Sequence, residues 1–430
     1  MSTYRHPGTI LTEHVFSVPL DHARPGGERI EVFGREVVAA GRDGDSLPWL
    51  LFLQGGPGMP ADRAVGRKWW LDRALRDYRV LLLDQRGTGR STPVSAGSLA
   101  RRGLVSAAAQ ADYLALFRAD SIVADAELVR RELAGGEPWA VLGQSFGGFC
   151  TVAYLSWYPE GIREAVITGG LPGLAATATD VYRLTYPLVA GKVAAHYARY
   201  PMDVERARDI ARRLADGAVM LPDGRPLTVE AFQSLGMPLG FGDGSHELHY
   251  LLEDAFDGDG ELTDGFLHAV LRQLSFAGNP LYALVHEACY AQGAATRWAA
   301  QRVRAELGEL DAGPALDGDV PLPFTGEMIY PWTIEQDPVL APLRDAAALL
   351  AERDGWPPLY DPARLAACGV PVAAAVYYDD MYVPRELSMA TAAAIGGLRA
   401  WVTNEWEHDG LRASDGAVLD RLIAMNGGDQ

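Results

Sequence analysis

A serine between two glycines is the residue of this chain best placed for nucleophilic chemistry. Gly143, Ser145 and Gly147 fit the pattern GxSxG, and the apolar run Trp139 to Leu142 before them is typical of a buried strand. Apolar residues at helical spacing after the serine predict that a helix follows. Such a turn is a nucleophile elbow, which lifts the serine oxygen above the sheet and leaves no room for side chains at the two glycines. The motif therefore predicts a serine nucleophile for acyl transfer.

Backbone amides near this serine are candidates for stabilising negative charge on an attacked carbonyl. Phe146 would begin the helix, and its amide would point to where that charge develops. Upstream, a short apolar strand at Leu50 to Leu53 opens into QGGPG, in which Gly55 and Gly56 can turn their amides inward. The lysine and hydroxyl residue of a phosphate-binding loop are missing. We therefore predict an oxyanion hole made by Phe146 and by Gly55 or Gly56.

The serine also needs a base and an orienting acid, because its hydroxyl is a weak nucleophile at neutral pH. In folds with this elbow the chain order is serine, acid, histidine. The apolar run Pro371 to Tyr378 predicts a late strand that ends in Asp379 and Asp380, and the next predicted strand, Leu398 to Thr403, leads into a loop with His408. His408 is the predicted base. Adjacent residues at a strand end point in opposite directions, so the pattern alone leaves the choice of aspartate open.

A polar loop, DQRGTGRST, follows the strand predicted at Arg79 to Leu83. It lacks the third glycine and the following helix of a dinucleotide-binding turn. We interpret it as a loop that frames the site, in which Asp84 and Arg86 pair to hold the oxyanion loop. The alternative is an ordinary surface ion pair, which would have the same sequence.

Four motifs in this order resemble the prolyl iminopeptidase family of serine peptidases, within the α/β-hydrolase superfamily. The motifs are GGPG at 55–58, DQRGTGRS at 84–91, GQSFGG at 143–148, and DDM at 379–381 with EHDG at 407–410. The resemblance covers nearly the whole chain and implies an α/β-hydrolase fold. Family members usually have a histidine where this chain has Gln54, but backbone amides carry the oxyanion function, so catalysis is still expected. The family's catalytic aspartate directly precedes the position of Met381, which identifies Asp380.

The chain is also similar to a longer subclass of the family, which carries an extended cap. Ser145 and Asp380 are 235 positions apart (380 minus 145), more than one further strand and helix of a hydrolase sheet require. We therefore predict a mostly parallel sheet whose hydrolase core has two parts, 1–170 and 362–430. A mainly helical cap domain at 171–361 would be inserted before the last strands.

Composition and turn signals predict further elements. Stretches rich in alanine, arginine and leucine at 180–215 and 264–310 predict helices in the cap. Near the amino terminus, His14 to Pro19 and Arg29 to Val38 predict an antiparallel strand pair joined by a turn.

Glutamates of the cap bind the free amino group of the substrate in family members. The similar segments here, NPLYALVHEACYAQG and PFTGEMIYPW, identify Glu287 and Glu327. A pair of buried carboxylates can hold a secondary ammonium by charge-assisted hydrogen bonds, and such carboxylates are costly to bury without a cation. The alternative is that each glutamate pairs with a cap arginine such as Arg297 or Arg302.

The resemblance thus implies a serine exopeptidase that releases N-terminal proline from peptides through an acyl-enzyme, with Ser145, His408 and Asp380 as its triad. Two alternatives stay open. A carboxylesterase or a broader aminopeptidase would use the same triad without depending on the two glutamates. A non-catalytic binding protein of the same fold would typically lack a triad member.

The composition restricts partners and cofactors. A chain of 430 residues that is 48% apolar can bury a large sheet core and a cap. Its net charge of −18 disfavours nucleic acid and anionic membranes as partners. No cofactor is predicted. No metal site is predicted either, since His246 and His249 in SHELH lack the HExxH spacing. The expected partners are peptides with a free N-terminal proline.

Targeting signals are also missing from the sequence. The amino terminus has no basic region followed by an apolar run, so it does not resemble a secretory signal. No segment has the apolar length that spans a membrane. The three cysteines are widely spaced without a metal or redox pattern, which predicts reduced, buried thiols. We therefore expect a cytoplasmic protein.

Overall fold

A single mixed sheet forms the centre of the protein. The computed structural model describes residues 2–318 and 320–427. The strands in these residues are β1 Ser2–His6, β2 Thr9–Pro19, β3 Arg29–Ala39, β4 Trp49–Leu53, β5 Arg79–Asp84, β6 Trp139–Gln144, β7 Ile162–Thr168, β8 Val372–Tyr377 and β9 Leu398–Thr403. Their spatial order is β1-β2-β3-β5-β4-β6-β7-β8-β9.

The sheet is antiparallel at one end and parallel through the rest. Strands β1, β2 and β3 form a meander, and β3 pairs antiparallel with β5. From β5 to β9 each neighbouring pair is parallel. Parallel strands covered on both faces are continuously apolar, as in β8, where every residue is buried. The α/β class predicted from the sequence is confirmed.

Helices outside the region between β7 and β8 cover the two faces of this sheet. They are α1 Trp69–Ala74, α2 Ala96–Arg101, α3 Ala107–Leu114, α4 Ala119–Leu133 and α5 Phe146–Trp157, and after β8 α17 Arg385–Ala394, α18 Gly410–Ala413 and α19 Ala417–Gly427. Alternate residues of β4 face opposite sides. Leu51 and Leu53 join a core that includes α4 and α5, whereas Leu50 and Phe52 join a core that includes α1 and α19.

Residues 169–371, between β7 and β8, are here called the inserted segment. Its helices are α6 Ala178–Arg199, α7 Asp203–Asp216, α8 Val229–Gln233, α9 Gly244–Glu253, α10 Asp264–Leu274, α11 Pro280–Val285, α12 Ala299–Glu306, α13 Gly313–Asp317, α14 Pro331–Gln336, α15 Arg344–Ala351 and α16 Pro362–Ala366. Short 3₁₀ turns and two isolated bridges complete its described secondary structure. The predicted domain boundaries at 171 and 361 stay a prediction.

The helices of the inserted segment follow local sequence signals. Thr177 caps α6 through the N–H of Asp180, and the Asp180 side chain accepts the N–H of Thr177 in return, which forms a capping box. The stretch 264–310, which was predicted to form helices, contains α10, α11 and α12. Helix α11 begins at Pro280, directly after Asn279, because a proline starts a helix more readily than it continues one.

None of the helices within residues 2–318 and 320–427 has both the length and the apolarity that crossing a bilayer requires. Cys150, Cys289 and Cys368 are buried free thiols, as predicted.

Candidate active site

Ser145 occupies a strained turn between β6 and α5. Its backbone has φ 55° and ψ −124°, a conformation that costs a residue with a side chain free energy. The N–H of Ser145 donates to the carbonyl of Thr168 at 2.9 Å, which ties the turn to the end of β7. A Cβ atom at Gly143 would collide with the Thr151 side chain, and one at Gly147 with the carbonyl of Leu53. Both glycines of the motif are therefore required by close packing.

The structure brings Ser145, His408 and Asp380 into one line of hydrogen bonds. His408 Nε2 lies 2.9 Å from Ser145 Oγ, and His408 Nδ1 lies 2.7 Å from Asp380 Oδ2. The other oxygen of Asp380 accepts the N–H groups of Tyr382 at 2.9 Å and Val383 at 3.0 Å. Asp380 and His408 are buried, whereas the neighbouring Asp379 is exposed. This arrangement can pass the serine proton to the imidazole and stabilise the imidazolium that forms.

Opposing effects act on the protonation of His408. Burial lowers the pKa of His408, but the charge and hydrogen bond of Asp380 raise it, and the charges of Glu327 and Asp409 add to that rise. The net result is a pKa above the ordinary value of 6.5. A base must be neutral to accept a proton, so this histidine is active only above its raised pKa.

We expect the acid limb of the kcat/KM profile to lie above pH 6.5, since lowering the pH through the pKa of His408 converts the base to imidazolium. Glu327→Gln removes one of the charges that raise this pKa. With p-nitrophenyl acetate as substrate, the limb should therefore move to lower pH in that variant. A limb at or below 6.5 in the unmodified protein, or no movement in the variant, would contradict the prediction.

The predicted oxyanion donors lie on both sides of Ser145. Within the described residues, the N–H groups of Phe146, Gly55 and Gly56 donate to no protein acceptor. A Cβ atom at Gly55 would lie 2.8 Å from Cβ of Ser145, so the glycine loop approaches the serine at this residue. At Gly56 it would instead meet the ring of Tyr282 at 3.0 Å. The position of the loop therefore favours Gly55 over Gly56 as the second donor.

The predicted pair of Asp84 and Arg86 is wrong. Asp84 binds Arg63 at 2.8 and 2.9 Å and accepts the N–H of Ala61 at 3.2 Å, so it holds the loop that follows GGPG. Arg86 turns the other way and binds Asp125 at 2.7 Å in the buried core. Asp84 thus does the structural task predicted for the pair, but with an arginine that no sequence pattern indicated.

Glu327 carries a carboxylate that forms no ion pair with any cation in residues 2–318 and 320–427. The Tyr282 hydroxyl donates to Glu327 Oε1, and Tyr282 in turn packs beside Gly56 of the oxyanion loop. Glu327 is half-buried, and its charge contributes to the raised pKa of His408. The side chain therefore lies on the same side of the molecule as the triad and close enough to influence it.

Glu287 is held in a different way. It is 7% exposed, and its two oxygens accept the N–H groups of Ala299 at 3.0 Å and Ala300 at 2.9 Å, at the start of α12. Burial raises the pKa of Glu287, although these amides oppose the rise. Because both oxygens already accept backbone hydrogen bonds, direct contact of Glu287 with a substrate amine stays a prediction.

Neither glutamate pairs with an arginine in the described part of the chain, so that alternative is wrong. Arg297 lies 3.3 Å from Glu352. Arg302 donates to the carbonyls of Arg297 and Thr296 and to the hydroxyl of Thr179.

Sequence reasoning missed the side chains that surround His408 and the oxyanion loop. The ring centroid of Tyr382 lies 4.7 Å from that of His408. Lys192, on α6, binds Glu407, and Gln85 donates to the carbonyl of Gln54 at 3.0 Å. Tyr382 lies two residues after the predicted acid, which is a usable signal. Lys192 is more than 200 positions from its partner, and no local pattern marks it.

Comparisons with known proteins agree with this geometry. Residues 48–216 match a family model described as the alpha/beta hydrolase fold, which confirms the predicted fold class. A proline iminopeptidase of Aeromonas sobria is 49% identical over 414 residues, which cover 96% of both chains. A proline iminopeptidase of Aspergillus aculeatus is 36% identical over 431 aligned positions, covering 97% of this chain and 94% of that protein. The similarity therefore extends through the inserted segment as well as the sheet.

Proposed function

The chain belongs to the proline iminopeptidase family of α/β hydrolases, and from this premise we propose that it releases N-terminal proline from peptides by acyl transfer to water. One observation carries the proposal. The hydrogen-bonded line of Asp380, His408 and Ser145 lies near a carboxylate, Glu327, that no cation of the described residues neutralises. A nucleophile and an anionic amine site together are what cleavage after a single N-terminal residue requires.

We propose the following roles for the residues around the nucleophile. His408, oriented by Asp380, takes the proton of Ser145 as its oxygen attacks the carbonyl of the N-terminal proline. The N–H groups of Phe146 and Gly55 stabilise the oxyanion. His408 then protonates the leaving amine, and a water molecule repeats the cycle on the acyl-enzyme.

The proposed amine site restricts where a peptide can be cut. A carboxylate shielded from water binds a cation more strongly than it would in solution, so Glu327 favours a substrate that brings a secondary ammonium. The ammonium of proline lies one residue from the scissile carbonyl, which limits cleavage to the first peptide bond. We assign direct contact to Glu327 and propose that Glu287 supports the site by ordering α12.

The test compares three substrates for the unmodified protein: prolyl p-nitroanilide, its N-acetylated form and p-nitrophenyl acetate. We expect kcat/KM for the free-amine anilide to exceed that of the acetylated form by roughly 10- to 100-fold, the worth of a charge-assisted hydrogen bond. Hydrolysis of the acetate ester alone would indicate a carboxylesterase. Equal rates on alanyl and prolyl p-nitroanilide would indicate a broader aminopeptidase.

Replacing Glu327 with glutamine is expected to lower kcat/KM for prolyl p-nitroanilide by about 100-fold, because a neutral amide loses the attraction to the ammonium. Hydrolysis of p-nitrophenyl acetate at its optimal pH should stay within about threefold, since this ester has no amine to bind. Equal losses on both substrates would contradict the assignment of the amine site.

Glu287→Gln is the matched control for that variant. The two carboxylate oxygens of Glu287 each accept one backbone N–H at the start of α12. Glutamine has only one side-chain oxygen, so one of these N–H groups would lose its acceptor. We expect this variant to lower the melting temperature more than Glu327→Gln does. The ratio of its activities on the anilide and the ester should change less.

A further inference from the structure

An ion pair joins the inserted segment to the loop that carries His408. Lys192 Nζ, on α6, lies 2.6 Å from Oε1 and 2.7 Å from Oε2 of Glu407, so one ammonium binds both carboxylate oxygens. Glu407 directly precedes His408 in the chain. The side chains of Lys192 and Glu407 are only 15% and 32% exposed, so solvent and salt screen this pair less than a surface pair.

Two hydrogen bonds from the inserted segment accompany the ion pair. The carbonyl of Gly240 accepts the N–H of His408 at 3.2 Å, and the N–H of Gly242 donates to Asp409 Oδ1 at 3.2 Å. Glu407, His408 and Asp409 are thus each bound by residues between β7 and β8. His408 also forms the two triad bonds. The remaining described hydrogen bonds of these three residues are to residues of α18.

Charges around Glu407 make Lys192 important to this arrangement. Burial raises the pKa of Glu407, the Lys192 ammonium lowers it, and the charges of Asp379 and Asp380 raise it. The net effect is a raised pKa for Glu407. Among the described residues, Lys192 is the cation that acts on this carboxylate, so without it Glu407 would face the two aspartates alone. The loop would then lose its ion pair to the inserted segment and gain repulsion close to the triad.

We infer that Lys192 is a positioning residue: through Glu407 it holds the loop in the place where His408 Nε2 lies 2.9 Å from Ser145 Oγ. The inference rests on the proposed role of His408 as base. The inserted segment would then have two roles: it binds the substrate amine through Glu327, and it positions the base through Lys192. The second role matters for every substrate, with or without a free amine. A displacement of about 1 Å at such a base can lower the rate on the order of 100-fold.

The test measures how fast Ser145 reacts with a fluorophosphonate, which phosphonylates an activated serine and releases fluoride while the base takes the serine proton. Lys192→Met keeps the apolar stem and removes the charge. We expect the labelling rate and the kcat for p-nitrophenyl acetate to fall together by roughly 10-fold or more, with KM changed less than about twofold. Lys192→Arg, which restores a cation, should recover most of both rates.

Two further variants separate positioning from stability. Arg183→Met removes another ion pair of α6, to Glu306, which is far more exposed, and should leave both rates unchanged. Lys192→Met combined with Glu407→Gln removes the unpaired carboxylate, so the melting temperature should recover while the labelling rate stays low.

Several results would overturn the inference. They are unchanged labelling in Lys192→Met, an equal loss in Arg183→Met, and a labelling rate that recovers with stability in the double variant. A wild-type protein that labels normally but shows no preference for prolyl substrates would count against the proposed specificity alone, and the Lys192 variants would still decide this inference. A wild-type protein that is not labelled at Ser145 would overturn both the triad and the inference.

Discussion

Ser145→Ala is expected to lower kcat for prolyl p-nitroanilide by about four orders of magnitude or more, because no other group then forms the acyl-enzyme. The backbone should tolerate the change, since alanine has the same Cβ atom as serine at a position that already has φ 55°. Steady-state rates on the anilide and the ester, with circular dichroism and thermal unfolding of the same sample, provide the measurement. Both activities should be lost together.

Ser145→Gly provides an informative companion to this variant. Glycine adopts positive φ without steric cost, so removing the side chain should relieve strain that serine and alanine share. We expect the glycine variant to be equally inactive but more stable than the alanine variant by about 1 kcal/mol. Residual turnover near the wild-type level in either variant would disprove the assignment of the nucleophile.

Asp380→Asn should lower kcat by about 10⁴-fold, whereas Asp379→Asn should stay within about threefold. The asparagine oxygen can still accept the N–H groups of Tyr382 and Val383, so the turn after β8 should persist. Its NH₂ group would then face His408 Nδ1 and hold the imidazole in the wrong tautomer. Steady-state kinetics of the two neighbouring variants compare a buried acid with an exposed one in the same turn.

The dependence of activity on pH provides a second measurement that distinguishes the two aspartate variants. Loss of the Asp380 charge lowers the pKa of His408, so any residual activity of Asp380→Asn should have an acid limb at lower pH than the wild type. The profile of Asp379→Asn should keep the wild-type limb. Similar losses of kcat in both variants would mean that the acid is not Asp380.

The sequence was most informative about the buried strands. The predicted strand at Leu398 to Thr403 matches β9 residue for residue, and the run Pro371 to Tyr378 extends one residue beyond β8 at each end. Buried parallel strands are apolar without interruption, which makes them visible in a sequence. By contrast, β7 was not predicted, because Arg163 and Glu164 near its start break the apolar run.

In the site, too, residues marked by a local sequence pattern could be predicted and residues without one could not. Ser145, the late aspartates and His408 could be predicted because each follows a strand, and strand ends of a parallel sheet meet at one edge. The residues alone left Asp379 and Asp380 as alternatives, and the choice of Asp380 came from the family resemblance. The partners of Asp84 and Glu407 could not be predicted, because Arg63 and Lys192 reach them through loops and helices whose packing no local pattern specifies.

The separation of Ser145 from its base along the chain has a consequence during synthesis. Their contact joins residues 263 positions apart, with the inserted segment between them. At about 5–20 residues per second, a ribosome needs roughly 13–53 s to proceed from the serine to the histidine. The nascent chain therefore presents its nucleophile long before the base exists. A newly made molecule can therefore become active only after the loop with His408 has emerged and folded against Ser145.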